Sequence, residues 1–199
     1  MGLIVLAGEV SLIGGVPDYE AVARSAAAMI GYTSHAIGMD ATNPEVCEVQ
    51  VHITTQSPNI AQGVNKDGLD QGAGDQGMMF GYACEETEAF DDLKGRYFPL
   101  AAALSQRLSR RLSAVREQGI LPWSRPDGKS QVTVQYNDDG EISKVHTVVI
   151  AIQHDNNLKS QFNDSEEAEL AYVREQIKTH VVEHSIPAEL LADGYKSVV

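Results

Sequence analysis

The 199-residue sequence predicts an α+β fold, and three observations indicate that class. Strand-like runs at 3–13 and 46–55 enclose a helix-like segment at 18–30. A hairpin signal, Asn137-Asp138-Asp139-Gly140, separates two further runs rich in β-branched residues. Amphipathic helical patterns precede and follow this hairpin. We therefore expect two packets of strands, each covered by helices on one face.

The first third of the chain should form a strand, a helix and a second strand. The run at 3–13 is rich in Val, Ile and Leu, and Gly14-Gly15 ends it. Pro17 and Gly31 bracket the helix, as is usual at helix ends. Its apolar residues recur at helical spacing: Tyr19, Val22, Ala26 and Ile30. The run at 46–55 alternates apolar and polar residues, which predicts a half-buried strand.

Residues 56–74 show almost no periodicity and are crowded with Gly, Asn, Asp and Pro turn pairs. Loops of this length are uncommon inside compact domains and are usually either functional lids or disordered segments. We therefore predict a gate in this segment.

The remaining residues should form a second α+β unit. Its predicted elements are a short strand at 78–83, the longest helix at 98–119, a hairpin of strands at 131–136 and 142–152, and a last helix at 164–180. The last helix begins with a capping-box pattern, Asp164 and Glu167. A further strand pattern begins at Tyr195, so both chain ends fall inside elements and the sequence resembles a piece of something larger.

Composition excludes some classes of partner. The chain has 28 acidic and 15 basic residues, a formal net charge of −13. Nucleic acids and anionic membranes are bound through clustered Lys and Arg, so we expect neither as a partner. No apolar run approaches the ~20 residues of a membrane span. Cys47 and Cys84 form no disulfide framework and are predicted to be buried, which fits a cytoplasmic protein.

The segment Gly72-Ala-Gly-Asp-Gln-Gly77 matches the dinucleotide-binding pattern G-x-G-x-x-G in letters only. That site needs a strand before it and a helix after it, whereas a polar loop precedes this segment and a predicted strand follows. Two interpretations of Asp75 remain: a turn former, or a carboxylate that binds a cationic or hydroxyl-bearing ligand.

Asp127 and Lys129 lie in the segment Arg125-Pro-Asp-Gly-Lys-Ser-Gln131. Pro-Asp-Gly is a common turn, but residues two apart in an extended segment point to the same side. Lys129 would then meet a phosphate while Asp127 orients it or bonds a sugar or base.

His180 and His184 lie one turn apart without a third metal ligand nearby. The arginines at 107–116 are typical of a solvated or interface face.

Four motifs in order resemble the S-adenosylmethionine synthase (methionine adenosyltransferase) family. They are Gln56–Val64, Gly72–Ala83, Leu121-Pro-Trp followed by Arg125–Val132, and Val148–His154. The resemblance implies a sheet of mostly antiparallel strands with helices on one face, as in the repeat domains of that family. It also implies that the chain covers the middle of the family sequence, about half its length.

The resemblance implies that ATP and L-methionine react with water to give S-adenosylmethionine, phosphate and pyrophosphate, with Mg²⁺ and K⁺. By motif, Gln56 and Asp75 match residues that contact methionine, and Asp127 and Lys129 match the nucleotide site, with Lys129 on phosphate. The gate loop of the family corresponds to the segment from Ser57 to Asp70.

Ser57 and Ile60 are the gate residues singled out, and Asn59 replaces an acidic residue of the family gate. Ser105-Gln106 stands where the family usually has Ala-His, and Ala151 replaces a hydroxyl residue. The N-terminal His-Pro-Asp-Lys motif, the C-terminal cationic cluster and the ligands of Mg²⁺ and K⁺ are not found in this sequence.

The resemblance divides the chain into an incomplete N-terminal-type domain at 1–57, a gate-like loop at 58–71 and a central domain at 72–199. An apolar sheet face left by the incomplete domain predicts a homodimer or higher homo-oligomer. Two functions stay open: a methionine adenosyltransferase whose isolated chain is inactive, or a non-catalytic relative that serves as a binding or oligomerisation module.

Overall fold

The computed structural model describes residues 2–12, 14–59, 62, 66, 68–70, 72 and 77–199. The fold is α+β, as predicted, and the chain divides into two compact units, Met1–Gly81 and Tyr82–Val199. In chain order the main elements are β1 (Gly2–Val10), α1 (Tyr19–Met29), β2 (Thr33–Ser34), β3 (Met39–Asp40), β4 (Cys47–Thr55), α2 (Leu100–Glu117), β5 (Ser124–Tyr136), β6 (Ile142–His154), α3 (Glu166–Ile177), α4 (Glu183–Ser185), α5 (Ala188–Leu191) and β7 (Lys196–Val198).

The first unit is built around a parallel pair of strands. β1 pairs with β4 from Gly2 opposite Cys47 to Val10 opposite Thr55, and α1 lies in the connection between them. The Asp18 carboxylate caps α1 by accepting a hydrogen bond from the Ala21 N–H at 3.0 Å. Arg24 of α1 donates to the backbone carbonyls of Ala41 and Cys47, both at 3.0 Å, and so ties the helix to the start of β4.

The second unit contains a three-stranded sheet in the order β5-β6-β7. β5 and β6 form the predicted antiparallel hairpin, whereas β7 adds parallel to β6, with Thr147 opposite Lys196. The expectation of mostly antiparallel sheets therefore holds only in part, because the sheets of both units contain a parallel pairing. Strand pairing of this kind joins residues distant in the chain, which local periodicity does not report.

The core of the second unit lies between its sheet and α2. The apolar stripe predicted on that helix is buried throughout: Leu100, Leu104, Leu108, Leu112 and Val115. Val148 and Ile150 of β6 and Val173 and Ile177 of α3 belong to the same hydrophobic cluster. Trp123, immediately before β5, packs on Tyr172 of α3 with ring centroids 6.3 Å apart.

Two local expectations are wrong. Residues 77–84 form no strand, and Met78, Met79 and Phe80 are exposed, because no described strand pairs with them. The cap of α3 is Ser165, whose hydroxyl accepts from the Ala168 N–H at 3.3 Å, and not Asp164. Asp164 has a left-handed backbone, φ +60°, which places it outside the helix.

The last helical region contains a π-helical turn, Lys178–Val182, after α3. A π turn leaves its carbonyls irregularly bonded, and here the Arg111 Nε of α2 donates to the His180 carbonyl at 2.9 Å. Of the two free cysteines, Cys47 is buried as predicted and Cys84 is half-buried. Among the described residues, no helix is long and apolar enough to cross a membrane.

Candidate functional site

The β5–β6 hairpin positions the predicted nucleotide-site residues. Ser124 lies opposite His154, and Gly128 lies opposite Ile152, so three residues of β5 face the single residue Gln153 of β6. This irregularity is a β-bulge, a feature that bends a strand and re-aims its side chains. Pro126 lies inside the bulge, where the loss of a backbone donor costs no ladder hydrogen bond. The strand thus starts well before the predicted position 131, and Pro-Asp-Gly is not a free turn.

Gly128 is the point at which the bulge rejoins the regular ladder. A Cβ atom there would lie 3.3 Å from the Ala151 carbonyl oxygen and 3.7 Å from Cδ1 of Leu112 on α2. The helix side of the strand therefore has no room for a side chain. Because neighbouring residues of a strand point to opposite faces, Lys129 is directed to the face away from α2.

Asp127 and Lys129 line one open cavity of about 340 Å³. Its other walls come from Gly128 and from Ala151, Ile152 and Gln153 of β6. Both charged side chains are exposed, and neither takes part in an ion pair within the part of the chain that the structure describes. The cavity therefore offers a carboxylate and an ammonium group, neither of them tied to a charged neighbour, to a ligand.

Arg125 closes the bulge, a role that the sequence alone did not predict. Its Nη2 atom lies 2.6 Å from Oδ2 of Asp155, and its Nη1 atom donates to the carbonyls of Pro122 and Ser124. The Asp155 N–H donates to the Trp123 carbonyl at 2.8 Å. Asp155 therefore holds the start of β5 to the end of β6 through both its side chain and its backbone. The Arg125 side chain is 18% exposed, which makes this ion pair stronger than a fully solvated one.

The bulge is also tied to α2. The Ser130 hydroxyl lies 2.8 Å from the Ser109 hydroxyl and donates to the Ser105 carbonyl at 2.7 Å. The Ser105 hydroxyl bonds within its own helix, to the Ala102 carbonyl. The Ser105 hydroxyl is therefore hydrogen-bonded within α2, while its carbonyl holds Ser130 of β5.

Gln56 and Ser57, predicted for the methionine site and the gate, lie in the first unit. Gln56 follows β4 directly, its N–H donates to the Val10 carbonyl at 3.0 Å, and its Oε1 accepts from the Ser11 hydroxyl at 2.9 Å. Ser57 is half-buried beside it. Ile60 and Asp75 lie outside the residues that the structure describes.

A carboxylate clamp at the start of α2 is a second feature that sequence reasoning missed. Glu88 accepts from the N–H groups of Gly95, Arg96 and Tyr97, at 2.8, 3.1 and 3.0 Å. These bonds, first that from Tyr97 and then that from Gly95, hold the pKa of Glu88 below its ordinary value. Three donors on one carboxylate favour its charged form.

Glu86 completes the clamp. Its Oε2 atom accepts from the Leu100 N–H at 2.8 Å and so caps α2, since Pro99 offers no side-chain cap. Its Oε1 atom accepts from the Tyr136 hydroxyl at 2.9 Å. The pKa of Tyr136 is raised, first by partial burial and second by the hydrogen bond to this carboxylate. The acidic run Glu85-Glu86-Thr87-Glu88 was the available sequence signal.

No group of three or more His, Cys, Asp and Glu side chains among the described residues is arranged to hold a metal ion. His180 is half-buried in the π turn and His184 is exposed.

Comparison with protein families extends these observations. Residues 70–199, about two thirds of the chain, match the family model described as "S-adenosylmethionine synthetase, central domain". The match contains the bulged hairpin, the cavity with Asp127 and Lys129, and the clamp at the start of α2. The chain therefore belongs to the S-adenosylmethionine synthetase family, and it corresponds to the middle portion of that family.

Proposed function

We propose that this chain provides the central domain of a methionine adenosyltransferase, which converts ATP, L-methionine and water into S-adenosylmethionine, phosphate and pyrophosphate. The observation that carries the proposal is the open cavity in which Asp127 and Lys129 flank Gly128 at the end of a β-bulge. The family relation supports the reaction class.

In this proposal Lys129 binds phosphate oxygens of ATP. Its ammonium group is a point charge with three donors, which suits the several oxygens of a polyphosphate. Asp127 accepts a hydrogen bond from the nucleotide or holds the Lys129 ammonium group in place. The clamp of Arg125 on Asp155 fixes the bulge and so limits the reorganisation that binding requires.

The remaining site residues follow from the motif match. Gln56 and Asp75 bind methionine, and the loop that contains Ser57 and Ile60 closes over the substrates. The hydrogen bonds of Gln56 to Ser11 and Val10 support a fixed starting point for that loop.

Mg²⁺ and K⁺ are the ions that this family generally uses. The described residues bring no three ligand side chains together, so they do not form a metal site by themselves.

A second candidate is a non-catalytic member that acts as a binding or oligomerisation module. The cavity composition favours it: among the described residues that line the cavity, Lys129 is the single cation, and Ala151 supplies no hydroxyl. Expelling tripolyphosphate needs more preorganised positive charge than one ammonium group provides.

Titration calorimetry of the 199-residue chain with ATP tests the binding role. We expect Lys129→Met to weaken ATP binding at least about tenfold, ~1.4 kcal/mol. Lys144→Met, in the same hairpin but outside the cavity, is the matched control and should leave it unchanged. Equal affinity in the two variants would rule out the proposed site.

A product assay tests whether the isolated chain is active. ATP and methionine are incubated with the purified chain, and S-adenosylmethionine is measured by mass spectrometry. We expect no product from the isolated chain, and product formation would overturn that expectation.

We also propose that the protein is cytoplasmic and forms a homodimer or higher homo-oligomer. Light scattering of the purified chain measures its molar mass in solution and so tests the oligomeric state.

A further inference from the structure

A small cavity lies between α2 and the β-bulge of β5, and its volume is about 120 Å³. Ser113 and Arg116 line it on the helix side, and Arg125, Asp127 and Gly128 line it on the strand side. Because residues three apart on a helix are neighbours on its surface, Ser113 and Arg116 present their side chains together. The cavity therefore gathers polar groups from two elements that are distant in sequence.

Gly128 keeps this cavity open. A Cβ atom there would lie 3.7 Å from Cδ1 of Leu112, another lining residue, so any side chain would take up space between the strand and the helix. Cavities that hold drug-sized ligands measure about 300–1,000 Å³. A cavity of about 120 Å³ is too small for a nucleotide and suits a small ion.

The lining of the cavity carries net positive charge, although the formal net charge of the whole chain is −13. Among the described lining residues, Arg116 and Arg125 carry guanidinium groups, and Asp127 carries the one carboxylate. Asp127 is exposed, whereas the side chains of Arg116 and Arg125 are only 19% and 18% exposed. Partly buried charges are screened less by salt than exposed ones, so the two guanidinium groups should determine the local potential.

Arg116 has hydrogen-bond donors to spare. Its Nη2 atom lies 3.4 Å from Oε1 of Glu117, and this is the only bond of the Arg116 side chain within the described residues. Charge-assisted hydrogen bonds measure about 2.7–2.9 Å, so this one is weak. The Ser113 hydroxyl makes only a 3.5 Å contact with the Ser109 carbonyl. Both side chains can therefore donate to an acceptor in the cavity.

Arg125 adds positive charge and one unsatisfied donor. Its Nη1 and Nη2 atoms bond the carbonyls of Pro122 and Ser124 and the carboxylate of Asp155. Its Nε atom is buried and has no hydrogen-bond partner in the part of the chain that the structure describes. A buried donor without an acceptor is unfavourable. The clamp on Asp155 therefore leaves this guanidinium group incompletely satisfied.

We propose that this cavity binds a phosphate ion, whose oxygens accept hydrogen bonds from Arg116 and Ser113 beside the positive charge of Arg125. The planar donors of a guanidinium group match the geometry of phosphate oxygens. The site is additional to the proposed ATP site and adjoins it, since Asp127, Gly128 and Ile152 line both cavities. Arg116 does not line the larger cavity, and Lys129 does not line the smaller one, so variants at these two positions distinguish the sites.

Titration of the full 199-residue chain with inorganic phosphate at constant ionic strength, followed by ¹H–¹⁵N NMR, tests the proposal. We expect saturable shifts at the amides of Ser113, Arg116 and Gly128. Phenyl phosphate carries a similar anion on a bulky ring and should bind at least about tenfold more weakly, because the cavity has no room for the ring. Equal binding of phenyl phosphate, or shifts that do not saturate, would overturn the proposal.

Variants of α2 locate the bound ion. Arg116→Met should weaken phosphate binding at least about tenfold, because hydrogen bonds to a charged group are lost. Arg110→Met is the matched control, since Arg110 is exposed on the same helix and does not line the cavity. An equal loss in the control would show nonspecific attraction and would end the proposal. If Arg116→Met fails to fold, Ser113→Ala decides, because Ser113 is exposed and its loss should still weaken binding several-fold.

Lys129→Met separates this inference from the proposed function. We expect phosphate binding to stay unchanged in this variant. If Lys129→Met loses phosphate binding and Arg116→Met keeps it, the ion occupies the larger cavity, which would overturn this inference and support the proposed ATP site. If Lys129→Met keeps full ATP affinity, the proposed ATP site fails, while a loss of phosphate binding in Arg116→Met still supports the smaller site.

Discussion

The two units of this chain follow similar sequence patterns but bury very different amounts of side chain. In the second unit, α2 buries six residues, and the hydrophobic cluster runs from Leu93 to Leu190. In the first unit, α1 buries none of its residues, and Val22 is 60% exposed although it lies on the predicted apolar stripe. Leu3 and Val5 of β1 are also more than half exposed. Periodicity therefore indicates which face is apolar, but it does not tell whether another element covers that face.

The largest expected effect is the difference in stability loss between a substitution on α2 and one on α1. Leu108→Ala removes a fully buried side chain from α2 and should destabilise the second unit by about 2–5 kcal/mol, because it leaves a cavity. Val22→Ala on α1 should change stability by no more than about 0.5 kcal/mol. Urea unfolding followed by circular dichroism measures both. Similar losses in the two variants would mean that α1 is covered in solution.

A smaller difference in stability is expected between alanine substitutions at two glycines, one in each unit. Gly128→Ala brings a Cβ atom to 3.3 Å from the Ala151 carbonyl and should cost about 1 kcal/mol, since backbone must shift at the bulge. Gly15→Ala in the first unit has no atom within 4 Å of the new Cβ atom and should be neutral or stabilising by about 0.4–1 kcal/mol. Thermal melts of both variants provide the measurement. Equal destabilisation would argue against the close approach at Gly128.

The caps of α3 and α1 are expected to stabilise their helices to a similar extent, although the helices belong to different units. Ser165→Ala removes the cap of α3, and Asp18→Ala removes the cap of α1, each with one hydrogen bond to a backbone N–H. A lost cap typically costs about 1 kcal/mol. Because a cap is local, we expect both helices to lose stability to a similar extent, as measured by amide hydrogen exchange within each helix. A loss confined to α3 would show that α1 depends on contacts beyond its own turn.

The smallest effect is a change in pH dependence. The lowered pKa of Glu88 means that its contribution to stability is complete above the ordinary glutamate pKa and is lost as pH falls through the lower folded value. Glu88→Gln should therefore flatten the acid side of the stability curve of the second unit. Urea midpoints between neutral and acidic pH measure this change, and Glu85→Gln, an exposed glutamate of the same turn, is the control. An unchanged acid side in Glu88→Gln would contradict the clamp.

The sequence predicted the elements with the clearest local patterns. β1, α1, β4, α2 and the hairpin turn lie where periodicity and turn residues placed them, within a few residues, whereas β5 begins well before the predicted position 131. The strand expected at 78–83 is absent because an apolar run forms a strand only beside a partner. The cap predicted at Asp164 is wrong because Asn163 and Asp164 both adopt left-handed backbones, which sequence spacing does not reveal.

The candidate site likewise contains some residues that the sequence predicted and others whose roles only the structure showed. The spacing of Asp127 and Lys129 predicted a shared side, and both residues line one cavity. Arg125 and Glu86 were not assigned roles, because their partners Asp155 and Tyr136 lie 30 and 50 residues away. Such pairs form only when strands and loops are already in register.

By itself, the sequence determined the α+β class, the apolar stripe of α2, the hairpin turn and the resemblance that the family match later confirmed. These features rest on neighbouring residues, or on motifs read in order along the chain. The tertiary structure alone decided the parallel pairings, the three-to-one bulge before Gly128 and the clamp around Glu88. It also decided which apolar faces are covered. These features depend on contacts between residues far apart in the chain, whose register is fixed by packing and hydrogen bonding and not by local periodicity.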